Sequence, residues 1–284
     1  MNVVSLFDGM SCGQLTLKNL GIKVDNYFAS EIDKYAIQIT QHNFPNTIQL
    51  GDVSKITAGS FPNIQFPIDL LIGGSPCKDL SFANKGKLGL DGEKSKLFYE
   101  FVRLKNELKP KYFFLENVVP TGNWKSVMDE HMGCVGVTIN SSLFVPQSRK
   151  RIYWTNIPFE MPTQQEYTFK FEENPDPKYN ASKNILDNED RMKYILSRKS
   201  EVCGCLTEAI ARNGSSKEYM SWLGWMNNQT GVVRKPTPVE AERLQGVPDN
   251  YTAVVSDSQR YKVLGNGWNV NTIEHMFSPL KNIF

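Results

Sequence analysis

One cysteine stands out by its setting. Cys77 lies in the stretch Gly73-Gly74-Ser75-Pro76-Cys77-Lys78-Asp79-Leu80-Ser81, directly after the apolar run that ends at Ile72. A thiolate is a strong nucleophile, and a thiol in a glycine- and proline-rich turn facing backbone amides can have a lowered pKa. The competing reading is a small hydrophobe at the end of a buried strand, because free cysteines are commonly buried and inert. Two further groups bear on the choice. Glu116, in Glu116-Asn117-Val118, follows another apolar run, where partial desolvation would raise its pKa and let it protonate a ring nitrogen. Gln147-Ser148-Arg149-Lys150-Arg151 offers two guanidinium groups on one face of an extended segment. One could hold a carbonyl oxygen while the other steadies Glu116 or a phosphate.

A second set of residues points to a nucleotide-like ligand. Phe7-Asp8-Gly9-Met10-Ser11-Cys12-Gly13 has the pattern of a strand, a glycine turn and a helix start. Glycines there allow close backbone approach of a ligand at a helix N-terminus, although an ordinary tight turn would use the same residues. Glu31, one strand–helix unit later, is placed to accept hydrogen bonds from ribose hydroxyls. Asp52, in Gly51-Asp52-Val53, offers a carboxylate at the next loop, suited to an adenine amino group. Each acid taken singly could equally be a helix cap or a solvated loop residue. Three in succession at strand ends weigh against that.

The elements that must position these groups alternate along the first half of the chain. Asn2 to Phe7, Val24 to Ala29, Ile68 to Ile72 and Lys111 to Leu115 read as short apolar strands. Gly13 to Leu20, Lys34 to His42 and Ser95 to Glu107 read as helices between them. Repeated strand–helix units predict an α/β fold with a doubly wound, mostly parallel sheet. In such sheets ligands bind outside the carboxyl ends of the strands, and Asp8, Glu31, Asp52, Cys77 and Glu116 all fall there. From Pro158 to about Val233 strand signals fade, and Trp222 and Trp225 appear among polar residues. Order resumes with a helix from Pro238 capped by Thr237, and a terminal helix is expected over Trp268 to Leu280.

Composition sets the frame. The chain has 284 residues, 40% hydrophobic and 22% charged, as in an ordinary soluble globular protein. No run of about 18 apolar residues is present to span a membrane. The N-terminus lacks the pattern of a secretory signal. Five cysteines without a paired framework fit a reducing, cytoplasmic compartment. Cys203-Gly204-Cys205 falls short of a zinc ligand set, so no metal is expected. A net charge of +2 decides little, because duplex binding needs a local basic stripe. Ser148 to Arg151 and Arg191 to Lys199 are the candidate stripes; the second reads better as a solvated face.

Six stretches in order, FDGMSCG, SPCKDLS, ENV, QSRKR, TPVEAERLQGVPDNY and LGNGWNV, resemble the DNA cytosine-5 methyltransferase family. SPC followed by DLS, and the ending HMFSPLKNIF, are most similar to the vertebrate de novo enzymes. QSRKR and TPVEAERLQGVPD look more like bacterial and phage modification enzymes. The resemblance implies a class I S-adenosylmethionine-dependent fold of Rossmann type. It also implies Cys77 as the nucleophile on cytosine C6, Glu116 at N3, and Arg151 at O2 with Arg149 beside it. For S-adenosylmethionine it implies Phe7, Asp8 and Gly9 at the turn, Glu31 with Ile32, Asp52 with Val53, and Asn266 and Trp268 from the last motif. The substrate it implies is double-stranded DNA, with the target base flipped out of the stack.

The same resemblance divides the chain into a catalytic domain, 1–157 plus 234–284, and a small target-recognition domain, 158–233. The last motif would then pack back against the N-terminal turn. Two departures bear on target context: Lys78 stands where most bacterial members carry glutamine, and Trp268 where many carry a smaller residue. Trp222, Trp225 and Asn213 to Lys217 are candidate groove contacts, although packing and loop roles outweigh that reading for each taken singly. A tRNA-methylating branch of the family has its own cysteine signature, which is absent here. Non-catalytic relatives typically lose the PC or ENV motif, and both are intact. A bacterial or phage-infected cell is the expected setting, and the sequence leaves the oligomeric state open with nothing against a monomer.

Overall fold

Five short strands form the parallel part of one sheet in the computed structural model, which describes residues 1–61, 67–76, 96–207, 210 and 216–284. The strands are β1 (Asn2–Leu6), β2 (Asn26–Ser30), β3 (Ile48–Gln49), β4 (Leu70–Gly74), β5 (Tyr112–Asn117), β6 (Val137–Asn140) and β7 (Lys150–Thr155). Their order in the sheet is β3-β2-β1-β4-β5-β7-β6. β1 pairs in parallel with β2 on one side and β4 on the other, and β5 extends the parallel run from β4. Every residue of β1 is buried, as expected for a strand covered on both faces. β7 lies antiparallel to β5, with Glu116 opposite Tyr153.

By internal contacts the chain divides into two compact units. The first comprises Met1–Ile139, Lys150–Pro162 and Thr272–Phe284; the second comprises Asn140–Arg149 and Thr163–Asn271. This division differs from the one read in the sequence, since 140–149 and 234–271 fall with the second unit.

In the first unit, α1 (Cys12–Asn19), α2 (Lys34–Asn43), α3 (Leu97–Leu108) and α4 (Trp124–Met132) connect the strands. Asp33 caps α2 by accepting from the amides of Tyr35, at 2.9 Å, and Ala36, at 3.4 Å. Phe98, Phe101, Val102 and Leu104 form the buried face of α3 and join β1, β4 and β5 in the core. Phe101 lies so close to β4 that a Cβ on Gly73 would stand 2.9 Å from its ring and 3.0 Å from the Leu6 carbonyl. Gly73 is therefore a packing requirement.

The second unit is mostly helical: α5 (Lys183–Leu186), α6 (Glu189–Leu196), α7 (Lys217–Thr230), α8 (Pro238–Gln245) and α9 (Asp257–Asn266). Ile185, Ile195, Tyr219 and Leu223 form an apolar cluster among α5, α6 and α7. Thr237 and Glu240 cap α8 reciprocally, with Pro238 in its first turn. The chain ends with α10 (Val270–Phe277), whose residues from Thr272 onward belong to the first unit. There Phe277 packs edge-on against Phe114 of β5 at 4.9 Å, and Glu274 accepts a hydrogen bond from Asn19 of α1.

Glu240 is fully buried and holds both terminal nitrogens of the equally buried Arg234, at 2.6 and 2.7 Å. Removing the guanidinium strands a carboxylate in the interior. Arg234→Met is expected to cost about 3–5 kcal/mol, read as a lower denaturant midpoint at unchanged slope.

Candidate active site

The turn after β1 is wound by three left-handed residues at alternate positions: Phe7 (φ 57°), Gly9 (φ 60°) and Ser11 (φ 63°). Such backbone is costly for residues with a Cβ and persists only where surroundings enforce it. Two carboxylates do so here. Asp8 accepts from the Ser11 hydroxyl on one oxygen and the Tyr27 hydroxyl on the other, both at 2.8 Å. Glu31 accepts from the Gly9 amide at 2.8 Å and from its own loop's Ile32 and Asp33 amides at 2.7 and 2.8 Å. The turn after β1 and the loop after β2 are thus tied through a single side chain.

Burial pushes the Asp8 carboxyl up to about 6, helped by the neighbouring negative charge of Glu31 and opposed by the hydroxyls of Ser5, Ser11 and Tyr27. Beyond Glu31, the Ile32 side chain is 77% exposed, a bare apolar surface at the strand end. Asp52 caps the short 3-10 turn Val53–Lys55. Its Oδ1 accepts from the Ser54 amide and hydroxyl at 3.0 and 2.9 Å, which holds the carboxyl below its usual range. Val53 itself is buried in the core.

On the other side of β1, the sheet presents Glu116 at the end of β5, opposite Gly74 of β4. Glu116 is buried, and its Oε1 lies 3.0 Å from Nε of Arg151 at the start of β7. Arg151 also donates through Nη1 to the Lys150 carbonyl at 2.9 Å. Next to Glu116, Asn117 donates to the Ser75 carbonyl at 3.2 Å and the Ser75 hydroxyl at 2.9 Å. The exit of β4 is thereby pinned just before Pro76. Cys77 and Lys78 follow at once and lie outside the described residues.

Arg149, two residues from Arg151, has different surroundings. It belongs to the second unit, is buried, and directs its terminal nitrogens at backbone carbonyls. Nη1 donates to Leu206 O at 3.0 Å and to the Cys205 sulfur at 3.3 Å; Nη2 donates to Gly265 O and Gly267 O at 3.0 and 2.8 Å. Gln147 donates to the Leu244 carbonyl at 2.9 Å, as does Asn269 at 3.0 Å. Residues Gln147 to Arg149 and the segments TPVEAERLQGVPDNY and LGNGWNV are therefore laced together within this unit. Asn266 is exposed at the end of α9 and Trp268 is half-buried.

Trp222 and Trp225 are buried, 1% and 3% exposed, and pack edge-on against each other at 5.7 Å. They are core residues of the second unit, the packing role that outweighs a groove contact in the sequence. Of the other groove candidates, residues 213–215 lie outside the described residues, while Ser216 caps α7. The Cys203 thiol donates to the Pro146 carbonyl at 2.9 Å, and burial pushes it well up. Among the described residues no cluster of three or more His, Cys, Asp or Glu could hold a metal. No helix among them is long and apolar enough to cross a membrane.

A doubly wound sheet with a glycine turn after its first strand and carboxylates after the next two is the class I methyltransferase architecture. A solved Entamoeba histolytica methyltransferase, EhMeth, has the same fold: the TM-score is 0.75 at 16% identity, covering 100% of this chain and 99% of that one. The family model of C-5 cytosine-specific DNA methylases matches residues 1–221 and 193–282, and the chain belongs to that family. It is 32% identical to the type II methyltransferase M1.ScrFI of Lactococcus lactis subsp. cremoris, over 95% of this chain and 75% of that protein. The type II methyltransferase M.NlaX of Neisseria lactamica is 29% identical, over 98% of this chain and 96% of its own length.

Because Asp8 has a pKa of about 6 in the fold, above its ordinary 3.8, the folded state binds its proton more tightly than the unfolded chain. Its contribution to stability is fully present below pH 3.8 and is lost as pH rises through about 6. Stability of wild type minus Asp8→Asn, measured by denaturant unfolding, is expected to fall across that window and stay level above it. A difference that rises with pH would contradict the assignment.

Proposed function

We propose that this methylase transfers a methyl group from S-adenosylmethionine to C5 of a cytosine flipped out of double-stranded DNA, through a covalent bond between Cys77 and C6. The observation that carries the reading is the common edge of the parallel strands. Gly9, Glu31 and Asp52 follow β1, β2 and β3, while Glu116 at the end of β5 pairs with Arg151 at the start of β7, and the chain toward Cys77 leaves from β4.

The cofactor side fits an adenosyl ligand by its donors and its space. A Cβ built on Gly9 meets nothing within 4 Å, so the backbone there is open to close approach. The Glu31 carboxylate is held by three amides yet keeps lone pairs for ribose hydroxyls. Ile32 offers an apolar surface for a flat ring, and Asp52 offers an acceptor for its amino group. Phe7 and Asp8 shape the turn, and Val53 backs the adenine loop from the core. Bound there, S-adenosylmethionine supplies an electrophilic methyl on a sulfonium.

On the base, the Cys77 thiolate attacks C6 and the electrons of the 5,6 double bond move to C5. Glu116 donates to N3, neutralising the charge that accumulates on the ring as the Sγ–C6 bond forms. Arg151 binds O2 and orients Glu116 through their 3.0 Å contact. C5 takes the methyl group, its proton leaves to a base, and the C6–Sγ bond breaks to restore the double bond. The products are 5-methylcytosine and S-adenosylhomocysteine. Two type II methyltransferase relatives from bacteria support a modification role in the cytoplasm of a bacterial or phage-infected cell.

Incubation with duplex DNA and methyl-labelled S-adenosylmethionine is expected to label cytosine C5, and bisulfite sequencing then reads the target. Cys77→Ala should lower turnover by roughly 10³-fold or more while S-adenosylhomocysteine binds as before. Glu116→Gln should cost about 10²–10⁴-fold in turnover. Full turnover in the cysteine variant, or no covalent complex with 5-fluorocytosine DNA, would overturn the mechanism.

A further inference from the structure

The 3-10 turn Val53–Lys55, which presents Asp52, is too short to hold its own shape. Its backbone closes on two bonds only, Lys55 N to Asp52 O at 3.0 Å and Ile56 N to Val53 O at 3.2 Å. Asp52 in turn takes its direction from this turn, since the Ser54 amide and hydroxyl both bond its Oδ1. Wherever the turn sits, the other oxygen of Asp52 goes with it.

Arg103 of α3 fixes where it sits. Its Nη2 donates to the carbonyls of Ile56 at 2.9 Å and Val53 at 3.4 Å, the two ends of the turn. The guanidinium is itself locked by neighbours on α3: Glu100 takes Nε at 2.9 Å and Nη2 at 2.6 Å, and Glu107 takes Nη1 at 3.0 Å. These glutamates stand three residues before and four after Arg103, the helical spacings that bring side chains together. The fork is planar and oriented before it reaches the loop. Val53 and Ile56 are separately anchored by apolar burial in the core that Phe101 and Val102 share. Stability of the loop and its angular setting thus have different sources.

We infer that Arg103 is a positioning residue that sets the angle of the Asp52 carboxylate, and with it the enzyme's preference for an adenine over a 6-oxopurine cofactor. The inference rests on the reading of Asp52 as the acceptor for the adenine amino group. An adenine amino group donates to a carboxylate; the C6 carbonyl of hypoxanthine repels it and leaves the acceptor unpaired. Recognition of that kind depends on a few tenths of an ångström in the acceptor. General binding of the ribose and amino acid parts does not.

The test compares S-adenosylhomocysteine with S-inosylhomocysteine by calorimetric titration of the full chain. Arg103→Met keeps the apolar stem against the helix and removes the fork. It is expected to weaken S-adenosylhomocysteine about tenfold and the inosyl compound less than about twofold, so the preference collapses. Arg103→Lys, with one point charge where the fork held four acceptors, should fall between the two. Equal weakening of both ligands, or an unchanged preference in both variants, overturns the inference. Asp52→Ala separates the layers. If it abolishes the preference while both Arg103 variants keep it, the positioning role fails alone. If it leaves the preference intact, the adenine role of Asp52 fails and the inference falls with it.

Discussion

The parallel pairing of β1 on both of its edges is the constraint on which the site depends. Leu6 lies opposite Ser30 on one side and Gly73 on the other, and Gly74 lies opposite Glu116. All five strands therefore end along one edge. Chain order reverses at β1, the kind of position beside which doubly wound sheets bind their ligands. The glycine turn and two carboxylates fall on one side of that point, and Glu116 with the exit toward Cys77 falls on the other. Four inter-strand spacings, roughly 19 Å at about 4.8 Å each, separate the ends of β3 and β5. Both halves of the proposed chemistry are therefore set side by side by backbone pairing alone.

Within that frame, carboxylates do two different jobs. A left-handed conformation at Phe7 and Ser11 costs on the order of 1 kcal/mol or more each. Hydrogen bonds to charged acceptors contribute about 1.5–3 kcal/mol, enough to offset such strain. Glu31 directs both oxygens at three amides, at the half-buried end of β2. Asp8 instead spends both oxygens on the protein's own hydroxyls. Two neighbouring acids thus serve as a half-buried acceptor and an internal brace.

Short strands buried on both faces leave continuous apolar runs, which is why β1, β2, β4 and β5 were legible, with helix ends shifted by a residue or two. β6 and β7 were not, because Val137–Asn140 is half polar and β7 opens on Lys150 and Arg151. The pair Arg149 and Arg151 shows where periodicity misleads. Alternation holds only inside a strand, and Arg149 precedes β7, with its carbonyl turned to the Ser141 amide. The two guanidinium groups consequently serve different units. Trp222 and Trp225 carry the same lesson: three apart on α7, they share a helical face, and that face is the buried one.

What could be read in the sequence of the site were the groups whose identity a ligand dictates. What could not be read were the groups that hold them. Asn117 reaches Ser75 across 42 residues, and Arg103 reaches Ile56 across 47. In both cases the partner includes a backbone carbonyl, which every residue possesses, so no matching side chain marks the contact. The same holds in the second unit, where Arg149, Gln147 and Asn269 all spend donors on carbonyls. A donor chosen to meet a carbonyl is constrained only by length and direction, and these are properties of the fold. Such residues therefore become visible once the fold is known, and their influence on chemistry runs through the angle of a neighbour.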